Sequence, residues 1–247
     1  MEIFAQIDTW VALLTLTFLE IVLGIDNIIF ISIATSKLPK QQQKKGTNIG
    51  LILAMVFRII LLLGISYLIA MKEPWFTIDT SWLSTEVTGQ SIILILGGIF
   101  LLYKSTSEIH HKVEGVTEGE NAPTKKVSTL SKVIVQIVLI DIVFSFDSVL
   151  TAVGMTNGVD GALIIMIAAV IISMIIMMIF ANPVSQFVNK HPTIQMLALS
   201  FLILIGFMLI TEGAHLANTV ILHQHIGAIP KGYLYFAIAF SLGVEAL

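Results

Sequence analysis

The feature that most constrains this chain is a long apolar run from Trp10 to Ala34, broken only by the charges of Glu20 and Asp26, and its counterpart from Val133 to Met155, which holds Asp141 and Asp147. About 20 apolar residues are what a helix needs to cross the hydrocarbon of a bilayer. An acid at the centre of such a helix costs roughly 2.5 to 3.5 kcal/mol on insertion scales, and it is retained where it faces a partner or a water-filled cavity. Four acids in two similar segments therefore predict a cation site enclosed by membrane helices.

Composition supports this reading. With 56% hydrophobic and only 12% charged residues, and a mean hydropathy of +0.96, the chain cannot present a solvated surface on every side, which excludes an ordinary soluble domain. The N-terminus carries Glu2 and Asp8 rather than basic residues and its apolar run is too long for a signal segment, so the first helix is expected to be retained. The chain has no cysteine and therefore neither a disulfide framework nor a thiolate site for a soft metal.

Seven spans are expected, over 10–34, 47–71, 90–103, 133–155, 161–181, 193–211 and 233–247. The third and seventh are short, and the seventh reaches the last residue, which leaves room for a longer native C-terminus. Most lysines (Lys37, Lys40, Lys44 and Lys45, then Lys104, Lys112, Lys125, Lys126 and Lys132, then Lys190) fall in odd-numbered loops. The positive-inside rule then places the N-terminus outside and the C-terminus in the cytoplasm of a multi-pass cell-membrane protein. The segment 105–131, with Glu108, Glu114, Glu118, Glu120, Gly115, Gly119 and Pro123, is poor in apolar residues and is expected to be a solvated linker.

The linker separates two halves that resemble each other. Glu20-Ile-Val-Leu-Gly-Ile-Asp26-Asn27 aligns with Asp141-Ile-Val-Phe-Ser-Phe-Asp147-Ser148, acid on acid twice. Gly46 and Gly161 each open a following span, and Gly97-Gly98 and Gly206 each interrupt a third. Three spans per half require the second half to start from the opposite face, the inverted repeat of many transporters. The predicted fold is all-α: seven transmembrane helices as a 3+3 inverted repeat, about 9–104 and 132–212, plus one additional helix at 232–247, in a single membrane domain.

On an ideal helix, acids six residues apart point about 120° apart and lie about 9 Å apart along the axis. One straight helix cannot aim both at a small ion, so a break is expected near Gly24 and near Ser145, freeing backbone carbonyls. Glu20, Gly24 and Asn27 share one face, as do Asp141, Ser145 and Ser148. Asp26 has only Val22, Leu23, Ile29 and Phe30 beside it and needs partners from another helix.

These motifs, with His191-Pro-Thr-Ile-Gln-Met-Leu-Ala-Leu-Ser-Phe-Leu-Ile-Leu-Ile-Gly206-Phe, resemble those of the TerC family of membrane proteins, along essentially the whole chain. The resemblance implies a seven-span fold of the LysE type and, from several members, export of manganese. Positions 20, 26, 141 and 147 match the family's acids, and Asn27 and Ser148 match by motif. Oxygen donors without neighbouring histidine independently suit a hard divalent ion such as magnesium, calcium or manganese.

The expected metal ligands are thus Glu20, Asp26, Asn27, Asp141, Asp147 and Ser148, with Asp26 and Asp147 binding directly and Glu20 and Asp141 completing the site or carrying exchanging protons. Arg58, Gln136 and Glu245 are candidate gates or additional ligands, although Arg58 also fits a structural ion pair. Met174, Met177 and Met178 read as adaptable packing, and His215, His223, His225, His110 and His111 as loop or surface residues. Manganese is the expected cargo, with no prosthetic group, no enzymatic activity and no nucleic-acid partner; the partners are the ion and the lipid bilayer. The rival readings are a non-transporting scaffold or metal-delivery partner, and an intramembrane aspartyl protease, against which no Gly-x-Gly-Asp surrounds either aspartate.

Overall fold

The computed structural model describes residues 7–114, 129–156, 159 and 161–245, with the side chains of Ile25, Asp26 and Ser66 outside the described set. The ligand role of Asp26 therefore lies outside the described residues, as do Gly115, Glu118, Gly119, Glu120 and Pro123 of the expected linker.

The chain is mostly helical. Helices α1 (Ile7–Thr35), α2 (Lys40–Leu63) and α3 (Ile65–Ala70) precede strands β1 (Pro74–Thr80) and β2 (Leu83–Thr88). Then come α4 (Gly89–Glu114), α5 (Leu130–Met155), α6 (Ala162–Lys190), α7 (Pro192–Leu216), the short strands β3 (Val220–Ile221) and β4 (Gln224–His225), and α8 (Lys231–Glu245). Among the described residues six helices, α1, α2, α4, α5, α6 and α7, are long and apolar enough to cross a membrane. The expected seventh span is shorter: α8 has 15 residues, a rise of about 22 Å against a hydrocarbon thickness of about 30 Å.

Local chemistry explains where helices end and where expectation and structure part. The second run is not one span over 47–71. It starts earlier, after Pro39, and stops at Gly64, whose N–H donates to the Ile60 carbonyl at 2.9 Å before α3 resumes. The third run is not short, because Lys104 and Glu108, one turn apart and 3.8 Å from each other, carry α4 beyond the apolar stretch to Glu114. Residues 105–114 are accordingly helix rather than linker. Between α6 and α7, His191 sits at φ −119° and ψ 93°, since a residue preceding proline is pushed out of the helical region. Pro192 then opens α7, where a missing N–H costs nothing.

Strands amend the all-α expectation. β1 to β4 form an antiparallel sheet in chain order. Their signal, β-branched and aromatic residues at Trp75, Phe76, Thr77, Ile78, Thr85 and Val87, was present in the sequence.

The helices gather into two compact units, Met1–Ser66 with Val127–His191 and Tyr67–Lys126 with Pro192–Leu247. Within the first, α1 packs along α6 and α2 along α5, with further contacts of α2 to α6 and α1 to α5. Its interior is closed by Leu16, Leu62, Ile137, Phe146, Ile165 and Met174, all fully buried. Both α1 and α5 run through without the interruptions expected at Gly24 and Ser145. Gly24 instead receives Met177: a Cβ there would lie 2.2 Å from the Met177 Sδ, so the missing side chain makes a notch for a thioether rather than a break.

Within the second unit α4 packs along α7, and α8 adds to α7. Gly98 and Gly206 do not interrupt their helices. They face each other, a Cβ on Gly98 falling 2.5 Å from the Gly206 carbonyl oxygen and one on Gly206 falling 2.9 Å from the Gly98 carbonyl oxygen. Small residues permit this close backbone approach between membrane helices.

Candidate functional site

A buried polar cluster sits among the apolar helices of the first unit. Glu20 and Asn27 come from α1, Arg58 from α2, and Asp141, Ser145 and Ser148 from α5; each is at least nine-tenths buried. The spacing that put Glu20 with Asn27, and Asp141 with Ser145, on common helix faces turns each set toward one place.

Arg58 organises the cluster. Its Nη1 donates to Glu20 Oε2, its Nη2 to Asp141 Oδ1 at 3.3 Å, and its Nε to Ser145 Oγ at 3.0 Å. Ser145 passes its own hydroxyl hydrogen to Asp141 Oδ2 at 3.0 Å. One planar fork of donors thereby joins two carboxylates and a hydroxyl, a geometry that a lysine does not reproduce. With both carboxylates ionised the cluster holds one negative charge more than positive.

Asn27 adds an asymmetry. Its Nδ2 donates to Asp141 Oδ1 at 3.3 Å, and because an ionised carboxylate only accepts, the amide must present its NH₂ there. That leaves Asn27 Oδ1 buried with no hydrogen-bond partner among the described residues. A buried amide oxygen without a donor is costly, and it is also the kind of hard ligand that magnesium, calcium or manganese accept.

Not every expected ligand joins this cluster. Ser148 turns its hydroxyl back to the Ser145 carbonyl at 3.3 Å. Asp147 is half-buried and lies about 120° round α5 from Asp141; its carbonyl accepts from Thr151 Oγ1 at 3.0 Å. Gln136 is half-buried on α5, about 140° from Asp141. Glu245 belongs to the second unit, exposed at the end of α8. Met174 and Met177 are buried in α6, as their packing reading anticipated, and His110 stands outside on α4 with Nε2 3.2 Å from Glu114 Oε2. Among the described residues no three histidines or acids are gathered to hold a metal ion. Ser145 does not break α5 but is a hydrogen-bonding member of the cluster, signalled by its interval of four from Asp141.

Relatives are named as membrane proteins. The profile described as "Integral membrane protein TerC family" matches residues 5–247. The chain is 46% identical over 240 residues to the UPF0053 inner membrane protein YgdQ of Escherichia coli K12, covering 97% of this chain and 92% of that protein. It is 43% identical over 246 residues to a UPF0053 protein of Haemophilus influenzae, covering 95% of it, and 42% identical to UPF0053 protein YegH of Escherichia coli K12, of which it spans only 43%. No solved structure matches. By the extent of these matches the chain belongs to the TerC family of integral membrane proteins.

Proposed function

We propose that this protein transports a hard divalent cation, manganese, out of the cell across the inner membrane, the location named for its relative YgdQ. The observation that carries the reading is the pair Glu20 and Asp141, aligned acids of the two sequence halves, buried in apolar helices and sharing Arg58. Buried ionisable groups inside membrane helices mark ion pathways more often than they stabilise a fold.

The packing of the helices supports an inverted repeat. Exchanging the halves turns α1 into α5 and α2 into α6, and the pairing of α1 with α6 then becomes the pairing of α5 with α2, which is the other long contact in that unit. The contact of α4 with α7 exchanges with itself, as do the glycines at its centre. The lysines favour an N-terminus outside.

In this reading Arg58 is an internal cation. It pairs with Glu20 and Asp141 while no metal is bound. An arriving dication, dehydrated first against Asp26 and Asp147, passes to the free oxygen of Asn27, where it competes for the carboxylates of Glu20 and Asp141 and displaces the guanidinium. Whether protons are exchanged as well is read directly from a pH gradient.

Purified protein in liposomes tests this. Manganese flux is expected, and Asp26→Asn and Asp147→Asn, which remove charge while keeping size, are each expected to lower it by at least about tenfold, the factor that 1.4 kcal/mol of lost ion binding produces. Full flux in both folded variants refutes the assignment. The satisfied ion pair at Arg58 favours one second reading, a non-transporting membrane scaffold, which predicts no flux of manganese, magnesium, calcium or zinc in the wild-type protein.

A further inference from the structure

Two neighbouring spaces in the first unit share one wall, the side chain of Leu16. The outer space offers about 240 Å³ to the centres of water molecules and is bordered by Asp8, Thr15, Leu16, Met155 and Thr156, where the first turns of α1 meet the end of α5. The inner space offers about 10 Å³ on the same measure, about enough for one water. It is bordered by Leu16, Glu20, Leu62, Val149, Ala152 and residues of α6. Glu20 thus faces a chamber whose other walls are apolar, and it lies one leucine away from a wider space that has a carboxylate and two hydroxyl side chains on its border.

We propose that the outer space is the vestibule through which water reaches Glu20 and an exported divalent cation leaves it, and that Leu16 closes it in the conformation described here. Three observations converge. Leu16 is only 2% exposed and borders both spaces. Thr17, beside Leu16 on α1 though bordering neither space, is 8% exposed and has a hydroxyl with no partner among the described residues, which water admitted between the helices would relieve. Finally, an isobutyl group breaks no hydrogen bond when it moves, so a rotamer change or a small tilt of α1 opens the wall, whereas closed it denies a hydrated ion any polar contact. Asp8, Thr15 and Thr156 supply the oxygens that receive the ion beyond Leu16 while its hydration shell re-forms. The role of the ion rests on the transport reading; the water route does not.

The chain has no cysteine, so single cysteines report without background. In oriented vesicles, Thr15→Cys is expected to react readily with a cationic, membrane-impermeant methanethiosulfonate added to the face that Thr15 borders. Val149→Cys in the inner space is expected to react at about a tenth of that rate or less, as an open state populated at 10% or below dictates. Adding Leu16→Ala to Val149→Cys is expected to raise its rate about tenfold, up to that of Thr15→Cys. Should Leu16→Ala fail to fold, Leu16→Val is expected to move the rate in the same direction by less. An inner cysteine that labels equally with and without Leu16, or as fast as the outer one while Leu16 is present, overturns the proposal. Manganese flux in the same vesicles separates the two readings: leucine-dependent labelling without flux sinks transport and leaves the route, whereas flux with leucine-independent labelling sinks the route alone.

Discussion

Arg58→Met is expected to destabilise the protein by about 3 to 5 kcal/mol, the usual cost of removing one member of a buried ion pair. The expectation follows from burial: Arg58 is 2% exposed and its carboxylate partners Glu20 and Asp141 are 3% and 4% exposed. Without the guanidinium those two carboxylates remain in an apolar interior with only Ser145 and Asn27 as donors to Asp141 and no comparable replacement for Glu20. Heating the detergent-solubilised protein and following the loss of the monodisperse species should show a midpoint lowered by roughly 6 to 20 °C. Arg58→Lys is expected to fall between, because an ammonium restores charge but not the three-way fork to Glu20, Asp141 and Ser145. The triple variant Glu20→Gln, Arg58→Met, Asp141→Asn should recover much of the loss, since the penalty lies in unpaired charge rather than in absent attraction. A midpoint for Arg58→Met equal to that of the wild type would show that the acids do not depend on it.

The second large effect is steric. Gly98→Val is expected to cost more than Gly98→Ala, itself in the range of about 1 to 3 kcal/mol for overpacking. The reason is what the new carbon meets: the Gly206 carbonyl oxygen at 2.5 Å and the Ile210 amide nitrogen at 3.1 Å, backbone atoms that move only if α4 and α7 separate. Two other glycines discriminate this cause from loss of glycine as such. At Gly24 the obstacle is the Met177 Sδ at 2.2 Å, on a flexible side chain, so Gly24→Ala should be rescued by adding Met177→Ala. At Gly154, within α5, nothing lies within 4 Å of a new Cβ, and Gly154→Ala should stabilise the helix by roughly 0.5 to 1 kcal/mol. Midpoints that fall equally in all three would contradict the steric account.

Particular elements show how far the sequence could be read. The apolar runs located the six helices that, among the described residues, are long and apolar enough to cross a membrane, because burial in lipid demands continuous hydrophobicity whatever the tertiary arrangement. Their ends were less legible. Gly64 ends α2 where its backbone turns to φ −83° and ψ 13°, and Lys104 with Glu108 prolongs α4 through an ion pair, neither of which a hydropathy reading weighs. The strand pair 74–88 lies outside every expected span because its residues are mostly exposed and mixed, although their β-branched and aromatic character is visible. For the site, equal spacing set Glu20 against Asp141, and both carboxylates meet Arg58. It also suggested two interrupted helices, and this was the wrong remedy for acids that face different ways. The helices stay whole, and Arg58 meets the need of Glu20 and Asp141 from a third helix.

What the sequence by itself determined is which groups are expensive to leave alone: acids and an arginine inside apolar helices, whose desolvation follows from residue type and local hydrophobicity only. What only the tertiary structure decided is who answers them. Arg58 stands 38 residues from Glu20 and 83 from Asp141 along the chain, and whether their side chains meet depends on how α1, α2 and α5 cross and rotate against one another. That rotation is set by many small packing contacts, such as Met177 in the notch at Gly24, whose individual energies are too slight to leave a pattern in the sequence.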